Sequence, residues 1–193
     1  FGVATEFVEV VESGVTPTAL IFVTEATGAR TIIYDRSRIG KIQINPKLIG
    51  LVENVPVILL DPEVTYLAHD LKKIQTLQSK IIYDAERYRP GIEDMMDVAD
   101  YFIPSSQLFD LGADQKTSRI LVEKIRQTAE KVSGELIVTD GENGAYYFLN
   151  NILHRVEAPA VEAKDTTGAG EHFHGSFSLA IARGQALEQA VKI

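Results

Sequence analysis

Apolar residues along most of the chain alternate between short runs typical of strands and longer spacings typical of helices. Residues 55–60 form an apolar run that suits a parallel strand buried on both faces, and residues 64–78 follow at helical spacing. Further strands are predicted at 80–83, 100–103, 135–139 and 145–149, with helices at 91–98 and 117–132. This alternation predicts an α/β fold in which a mostly parallel sheet is flanked by helices on both faces. Such sheets bind ligands outside the carboxyl ends of their strands, where the sequence places Asp61, Asp84, Ser105, Asp140 and Asp165.

The first part of the chain has a different pattern, which predicts a β hairpin. Residues 18–24 and 30–35 are rich in β-branched and aromatic side chains, and Gly28 lies in the turn between them. We therefore expect two parts in this chain, a small β unit over residues 1–44 and an α/β core over residues 45–193.

The composition narrows the classes of function. The chain has 193 residues and no Cys, so neither disulfides nor thiolate metal sites arise from it. Its net charge of -8 argues against nucleic acid as a partner. No apolar run approaches the length of a membrane span, and the first residues lack the pattern of a secretory signal. These features favour a cytoplasmic protein with no membrane partner.

The most informative stretch is Asp-Thr-Thr-Gly-Ala-Gly-Glu-His-Phe-His-Gly at residues 165–175. It follows a strand-like run at 156–161 and precedes an amphipathic helix that places Phe173, Phe177 and Ile181 on one face and ends near Gly184. Glycines at this position let the backbone turn sharply and approach a ligand closely. The exposed N–H groups at the start of the helix, together with its dipole, would attract an anion.

This stretch resembles the C-terminal signature of the ribokinase-like (PfkB) carbohydrate kinase family, Asp-Thr-x-Gly-Ala-Gly-Asp-x-Phe-x-Gly. In that family the glycine loop is the anion hole for the transferring phosphate, and the acid after it takes the proton from the substrate hydroxyl. The resemblance therefore implies an anion hole at Gly168, Ala169 and Gly170. It places Glu171 at the position of the catalytic base, where the family has Asp, although the Glu side chain is one methylene longer.

A second motif lies between two predicted strands, Thr-Asp-Gly-Glu-Asn-Gly at residues 139–144. It resembles the family turn Thr-x-Gly-x-x-Gly, which lies beside the nucleotide phosphates. The resemblance implies that Thr139, Gly141 and Gly144 contact the nucleotide, with Gly141 nearest to the phosphates, and Thr166 is added from the first motif. A plain hairpin turn is the alternative, because Asn-Gly is a strong turn dipeptide.

The chain departs from the family at a third place. Many members carry Asn-x-x-Glu after a strand, and this Glu helps to organise the magnesium ions. The corresponding residues 104–108 are Pro-Ser-Ser-Gln-Leu, which resembles ketohexokinase-like members that have Ser near this position. We interpret Asp84 and Glu86 as hydrogen-bonding residues at a strand end. No metal ligand is assigned, because His172 and His174 are two residues apart on a helix and do not face each other; one of them is expected to be packed or solvated.

The resemblance implies an ATP-dependent phosphotransferase that uses Mg²⁺ and phosphorylates a hydroxyl of a sugar or similar small polyol. In some members a monovalent cation such as K⁺ binds near the loop that corresponds to residues 165–167. The hairpin resembles part of the family's β lid, which often pairs two subunits, so a homodimer is expected. Family members also extend beyond both ends of this chain, which we interpret as an incomplete kinase domain. The alternative function is a catalytically weak member that binds nucleotide or sugar in a regulatory or scaffold role.

Overall fold

The computed structural model describes residues 2–24, 30–35, 40–74, 78–109, 111, 118–162 and 165–192. The chain divides into two compact units, Phe1–Leu48 and Ile49–Ile193. One helix, α1 (Pro46–Val52), crosses the boundary between them. The assignment of the first unit as a lid and of the second as a catalytic core stays a prediction.

The first unit contains the predicted hairpin. Its strands β1 (Thr18–Val23) and β2 (Arg30–Asp35) pair antiparallel, from Thr18 opposite Asp35 to Val23 opposite Arg30. Large apolar side chains such as Leu20 and Phe22 are exposed on this pair of strands. The predicted turn at Gly28 lies outside the described residues.

The second unit is built on a sheet whose strands, among the described residues, follow the chain order. They are β3 (Val57–Leu60), β4 (Lys80–Glu86), β5 (Tyr101–Pro104), β6 (Glu135–Thr139), β7 (Ala145–Leu149) and β8 (Ile152–Val156). The pairings from β3 to β6 are parallel, while β6–β7 and β7–β8 are antiparallel. The parallel half therefore provides the carboxyl edge at which α/β proteins place their ligands.

Helices connect the strands of this sheet and follow its last strand. The α-helices are α2 (Ala68–Lys73), α3 (Ile92–Val98), α4 (Ser118–Ala129), α5 (Ala169–Ala182) and α6 (Leu187–Val191). Short 3₁₀ helices occupy Pro62–Leu67, Ser106–Phe109 and Gly141–Asn143.

Alternate residues of the strands face two different helical layers, as expected from the two-residue period of a strand. On one face, Ile82, Ile103 and Ile137 form a buried cluster with the apolar side of α5 and with α6. On the other face Tyr83 packs on Phe102, with ring centroids 5.7 Å apart, and this face is covered by α3 and α4. The predicted fold class, a largely parallel sheet between helices, is confirmed.

Two sequence predictions about local structure are wrong. The strand expected at 156–161 ends at Val156, and residues 157–162 form no strand. Asn150 and Asn151 both adopt left-handed conformations, with φ of 52° and 61°, so the chain reverses directly after β7 and the strand begins earlier than expected. The helix expected over 64–78 is interrupted, because Val64 leaves the helical conformation with φ -103° and ψ 24° and the first part is a 3₁₀ helix. The second part, α2, ends at Lys73, where Ile74 becomes extended with φ -77° and ψ 92°. Residues 75–77 lie outside the described residues.

Candidate active site

The loop before α5 is shaped by its own backbone contacts. Asp165 Oδ1 accepts a hydrogen bond from the Thr167 N–H at 2.8 Å, and the Ala169 N–H donates to the Thr166 carbonyl at 3.3 Å. Gly168 then takes a left-handed conformation, with φ 82°, and serves as the N-cap of α5. A side chain is rarely accepted at such a φ, so the entry into this helix depends on glycine.

This loop leaves backbone donors available for a ligand. Among the described residues, no hydrogen-bond acceptor pairs with the amides of Gly168 and Gly170, while the amide of Ala169 is already used within the turn. The N–H groups at a helix start point along the helix axis and carry a partial positive charge. Two of the three predicted anion-hole amides are therefore free to bind an anion.

Gly170 differs from the glycines that form the two turns, Gly141, Gly144 and Gly168, which all have positive φ. It has no positive φ, and a Cβ built on it would meet no atom within 4 Å. Neither the turn nor the packing of the described residues therefore requires glycine at this position. Because Gly170 has no side chain, there is open space beside the free amides, and this space suits the close approach of a ligand.

Glu171 lies in the first turn of α5 and is exposed. Its carboxylate has no hydrogen-bond or ion-pair partner within the part of the chain that the structure describes. A Glu at this position stabilises a helix start, and in a capping box it would pair reciprocally with a Ser or Thr cap. Since the cap here is Gly168, that reciprocal arrangement is absent and the Glu171 carboxylate stays open to a ligand.

The second motif forms the connection between β6 and β7. The Gly144 N–H donates to the Gly141 carbonyl at 3.0 Å, and the Asp140 N–H donates to the Gly144 carbonyl at 2.7 Å. A Cβ on Gly144 would lie 1.8 Å from the carbonyl oxygen of Val156, whereas one on Gly141 would meet nothing within 4 Å. Gly144 is thus required by packing against the end of β8, while Gly141 faces open space.

Both motifs adjoin the carboxyl end of β5. Thr139 forms an isolated parallel bridge with Ser105, and its Oγ1 donates to the Pro104 carbonyl at 3.5 Å. From the side of α5, His174 Nε2 lies 3.3 Å from the Ile103 carbonyl oxygen. The structure thus brings the β6–β7 turn and the start of α5 to the same strand end, as expected for a site at this edge.

His174 also belongs to this arrangement, although its spacing in the sequence does not predict it. The residue is only 5% exposed, and its Nδ1 lies 2.7 Å from the Gly170 carbonyl oxygen and 3.6 Å from Asp84 Oδ2. No pattern in the sequence signals these contacts, because Asp84 and Ile103 reach His174 only through the order of the strands. His172, by comparison, is exposed, and its Nδ1 lies 2.9 Å from the Gly168 carbonyl oxygen.

The strand end at Asp84 is held by local hydrogen bonds and ion pairs. Asp84 Oδ1 accepts from the Glu86 N–H at 3.0 Å, and Arg89 pairs with Glu63 at 2.8 Å. Burial raises the pKa of the Asp84 carboxyl, and the neighbouring His174 acts in the opposite direction. These contacts agree with the interpretation of Asp84 as a residue that organises the strand end.

The whole chain matches one family of known proteins. A sequence model described as pfkB family carbohydrate kinase covers residues 1–193. The chain belongs to the pfkB family of carbohydrate kinases. This match agrees with the resemblance of residues 165–175 to the family signature.

Curated members of the pfkB family resemble this chain over different spans. The ribokinase of Schizosaccharomyces pombe is 34% identical over 109 residues, which cover 53% of this chain and 34% of that protein. The ribokinase of Bacillus subtilis is 26% identical over 195 residues, covering 99% of this chain and 64% of that protein. The chain thus spans between about a third and two thirds of the length of these relatives.

A solved ribokinase structure shares the fold. The ribokinase of Arabidopsis thaliana, complexed with ribose and ATP, superposes with a TM-score of 0.71 at 18% identity and covers 93% of this chain and 60% of that one. In the present chain, none of the helices among the described residues is long and apolar enough to cross a membrane.

Proposed function

We propose that this protein is an ATP-dependent kinase that phosphorylates a hydroxyl group of a sugar or similar small polyol. The observation that carries the proposal is the pair of free amides at Gly168 and Gly170, which open α5 directly before the exposed Glu171. An anion held by these amides would lie beside a carboxylate that has no structural partner among the described residues. A phosphate next to a proton acceptor is the arrangement that phosphoryl transfer to an alcohol needs.

The residues of the loop divide the chemistry between them. The amides of Gly168 and Gly170 would stabilise the charge on the transferring phosphate, and the dipole of α5 would add to this effect. Glu171 would accept the proton of the substrate hydroxyl as its oxygen forms a bond to the γ-phosphorus. At the same time the bond from this phosphorus to the oxygen that bridges it to the β-phosphate breaks, and ADP leaves with the electron pair.

ATP fits the second motif as well as the first. The solved relative from Arabidopsis holds ATP, and here Gly141 leaves open space at the carboxyl edge of the sheet. We therefore keep Thr139, Gly141, Gly144 and Thr166 as proposed nucleotide-binding residues. Of these, Gly144 also has a packing reason to be glycine, so it contributes through the shape of the turn.

The donor set is compatible with Mg²⁺ that binds together with the nucleotide. Among the described residues, no group of three or more His, Asp or Glu side chains forms a metal cage. Mg²⁺ usually keeps several waters and is bound through one or two carboxylates plus substrate phosphates, so no such cage is needed. When bound it would neutralise charge on the phosphate oxygens. A monovalent cation near residues 165–167 is a further proposal, which rests on the family resemblance.

A regulatory or scaffold protein that binds nucleotide without turnover is the second candidate. Two features favour it, namely the longer side chain of Glu171 and the absence of Asn-x-x-Glu at residues 104–108. A displacement of about 1 Å in the reacting groups can lower a rate on the order of a hundredfold. Nucleotide binding through backbone amides would not be affected by either difference.

A homodimer formed through the hairpin is proposed as well. Leu20, Phe22 and Ile33 are exposed on β1 and β2, each with more than half of its surface accessible. Exposed apolar patches of this kind often mark interfaces. Sedimentation of the full-length protein as a monomer at high concentration would contradict this assembly.

The decisive experiment measures ADP release by the full-length protein with Mg²⁺ and ATP, on a panel of pentoses, hexoses and polyols that begins with ribose. Nucleotide binding is measured in parallel by calorimetry. The kinase proposal expects turnover above background with at least one acceptor. Nucleotide binding without turnover on any acceptor would favour the second candidate, and the absence of both would reject the site itself.

A further inference from the structure

The two ring nitrogens of His174 both face backbone carbonyl oxygens. Nδ1 lies 2.7 Å from the Gly170 oxygen, and Nε2 lies 3.3 Å from the Ile103 oxygen. A carbonyl oxygen can only accept a hydrogen bond, and a neutral imidazole has one N–H and one acceptor nitrogen. Both contacts are therefore favourable only when the ring carries a proton on each nitrogen.

The charges around the ring support this doubly protonated form. Asp84 Oδ2 from β4 lies 3.6 Å from Nδ1, and the further groups that act on Asp84 are the acids Glu86 and Asp61. The backbone of β5 contributes the Ile103 oxygen, and α5 itself contributes the Gly170 oxygen and the neighbouring Glu171. Burial opposes a charged ring, but a counter-charge and two acceptors in contact with the ring offset that penalty.

We propose that His174 is a positioning residue, held as an imidazolium by Asp84, that ties the first turn of α5 to the carboxyl ends of β4 and β5. The Gly170 carbonyl belongs to the same planar peptide as the N–H of Glu171. A hydrogen bond from the ring to this oxygen therefore adds to the helical bonding that holds the peptide plane between Gly170 and Glu171. We call these contacts of His174 the tether. The tether is a property of the folded chain, whereas its effect on turnover rests on the proposed kinase function.

The tether is tested first without activity, by NMR of the imidazole ¹⁵N and ¹³C signals in the full-length, nucleotide-free protein between pH 5.5 and 9. The sequence has four His residues, so each signal is assigned by its loss in the matching His→Gln variant. We expect His174 to carry a proton on both ring nitrogens at pH 7.5, and the signals of the exposed His69 and His172 serve as the comparison. His172 is the matched comparison, because it makes the same contact two residues earlier, to the Gly168 oxygen, but is exposed.

Asp84→Asn tests the counter-charge with little change of shape. Removal of the negative charge should make the doubly protonated ring of His174 less stable, so its NMR signals should change towards those of a neutral ring. A wild-type His174 that is neutral at pH 7.5, or one whose titration Asp84→Asn leaves unchanged, would overturn the proposal. The NMR signals of the remaining histidines report whether each variant is folded.

Measurements of kcat distinguish the proposed role of His174 from the proposed kinase function. If the protein is a kinase, His174→Gln should lower kcat by on the order of tenfold to a hundredfold. Asp84→Asn should move the alkaline limb of the kcat profile to lower pH, whereas His69→Gln should leave it in place. An inactive wild type with a doubly protonated His174 would reject the kinase and support the tether. An active enzyme whose alkaline limb does not respond to Asp84→Asn would reject the positioning role.

Discussion

The two glycine-containing turns at the carboxyl edge of the sheet look alike in sequence but differ in what their glycines do. In the β6–β7 turn, Gly144 has no room for a side chain, because the Val156 carbonyl oxygen occupies the place of its Cβ. In the turn before α5, Gly170 has room for one, and no described residue fills it. A glycine that packing already explains gives little information on function. Gly170, which neither packing nor conformation explains, lies beside unpaired amides, and this combination suits the close approach of a ligand.

The same contrast extends to the polar groups of the two turns. The backbone of the β6–β7 turn is largely paired within itself, through Asp140, Gly141 and Gly144. The α5 turn leaves two amides and the carboxylate of Glu171 without partners among the described residues. We therefore propose that the transferring phosphate binds at the start of α5 and that the β6–β7 turn has a supporting role.

The largest expected effect is on turnover, and it follows from a change at Glu171 in the turn before α5. Glu171→Gln keeps the size of the side chain and removes the proton acceptor, so turnover should fall by about 10²–10⁴-fold. ADP release by the full-length protein measures this loss, and Glu171→Asp, which restores the family residue, should change the rate only modestly. Turnover that survives Glu171→Gln intact would remove Glu171 from the role of base.

A substitution in the β6–β7 turn should instead lower the stability of the protein. Gly144→Ala places a Cβ where the Val156 oxygen lies and forces a left-handed conformation, with φ 91°, on a non-glycine residue. Overpacking and the left-handed conformation together should lower the free energy of unfolding by about 3 kcal/mol or more. Urea denaturation without nucleotide gives this value, and a variant as stable as the wild type would show that the turn is not held against β8.

Gly170→Ala should give the opposite result. Its stability should stay equal to that of the wild type or rise by up to about 1 kcal/mol, because Ala is favoured over Gly inside a helix. Nucleotide affinity should fall about tenfold, since the methyl group enters the space proposed for the phosphate. Calorimetry on the same preparations measures the binding, and unchanged affinity would mean that no ligand approaches this amide.

The smallest effect is expected at Thr139, whose hydroxyl makes one long contact, to the Pro104 carbonyl. Thr139→Val keeps the shape and removes one hydrogen-bond donor, which is worth about 0.5–1.5 kcal/mol. If the hydroxyl turns to the nucleotide, affinity should fall about threefold, with little change in stability. Affinity equal to that of the wild type would limit the β6–β7 turn to a structural role.

The sequence predicts the parallel half of the sheet better than the antiparallel half. Strands such as β4, buried on both faces, stand out as apolar runs, and the start of α5 carries a specific motif. The strand β8 contains the polar residues His154 and Arg155, so it lacks the pattern of a buried strand. The tight turn that precedes it is formed by the left-handed Asn150 and Asn151 and contains no glycine to signal it. The run chosen instead contains Pro159, which cannot donate to a strand ladder.

The sequence predicts those parts of the candidate site that are formed by residues adjacent in the chain. It does not predict the contacts between segments that only the sheet brings together. The Gly168–Gly170 loop is contiguous, so its free amides follow from the motif and the start of a helix. The contacts of His174 depend on three separate segments that only the strand order brings together. Spacing within one helix separates His172 from His174, but it contains no information about Asp84.

The unequal halves of the sheet also have a kinetic consequence. The antiparallel strands β7 and β8 join residues that are neighbours in the chain, such as Leu149 and Ile152, whereas β5 and β6 join Tyr101 to the distant Glu135. Closing a short loop loses less chain entropy than closing a long one, so local pairings form faster. During refolding, the amides of β7 and β8 should gain protection in pulsed hydrogen exchange before those of β4 and β5. The edge that is proposed to bind phosphate would then be completed last.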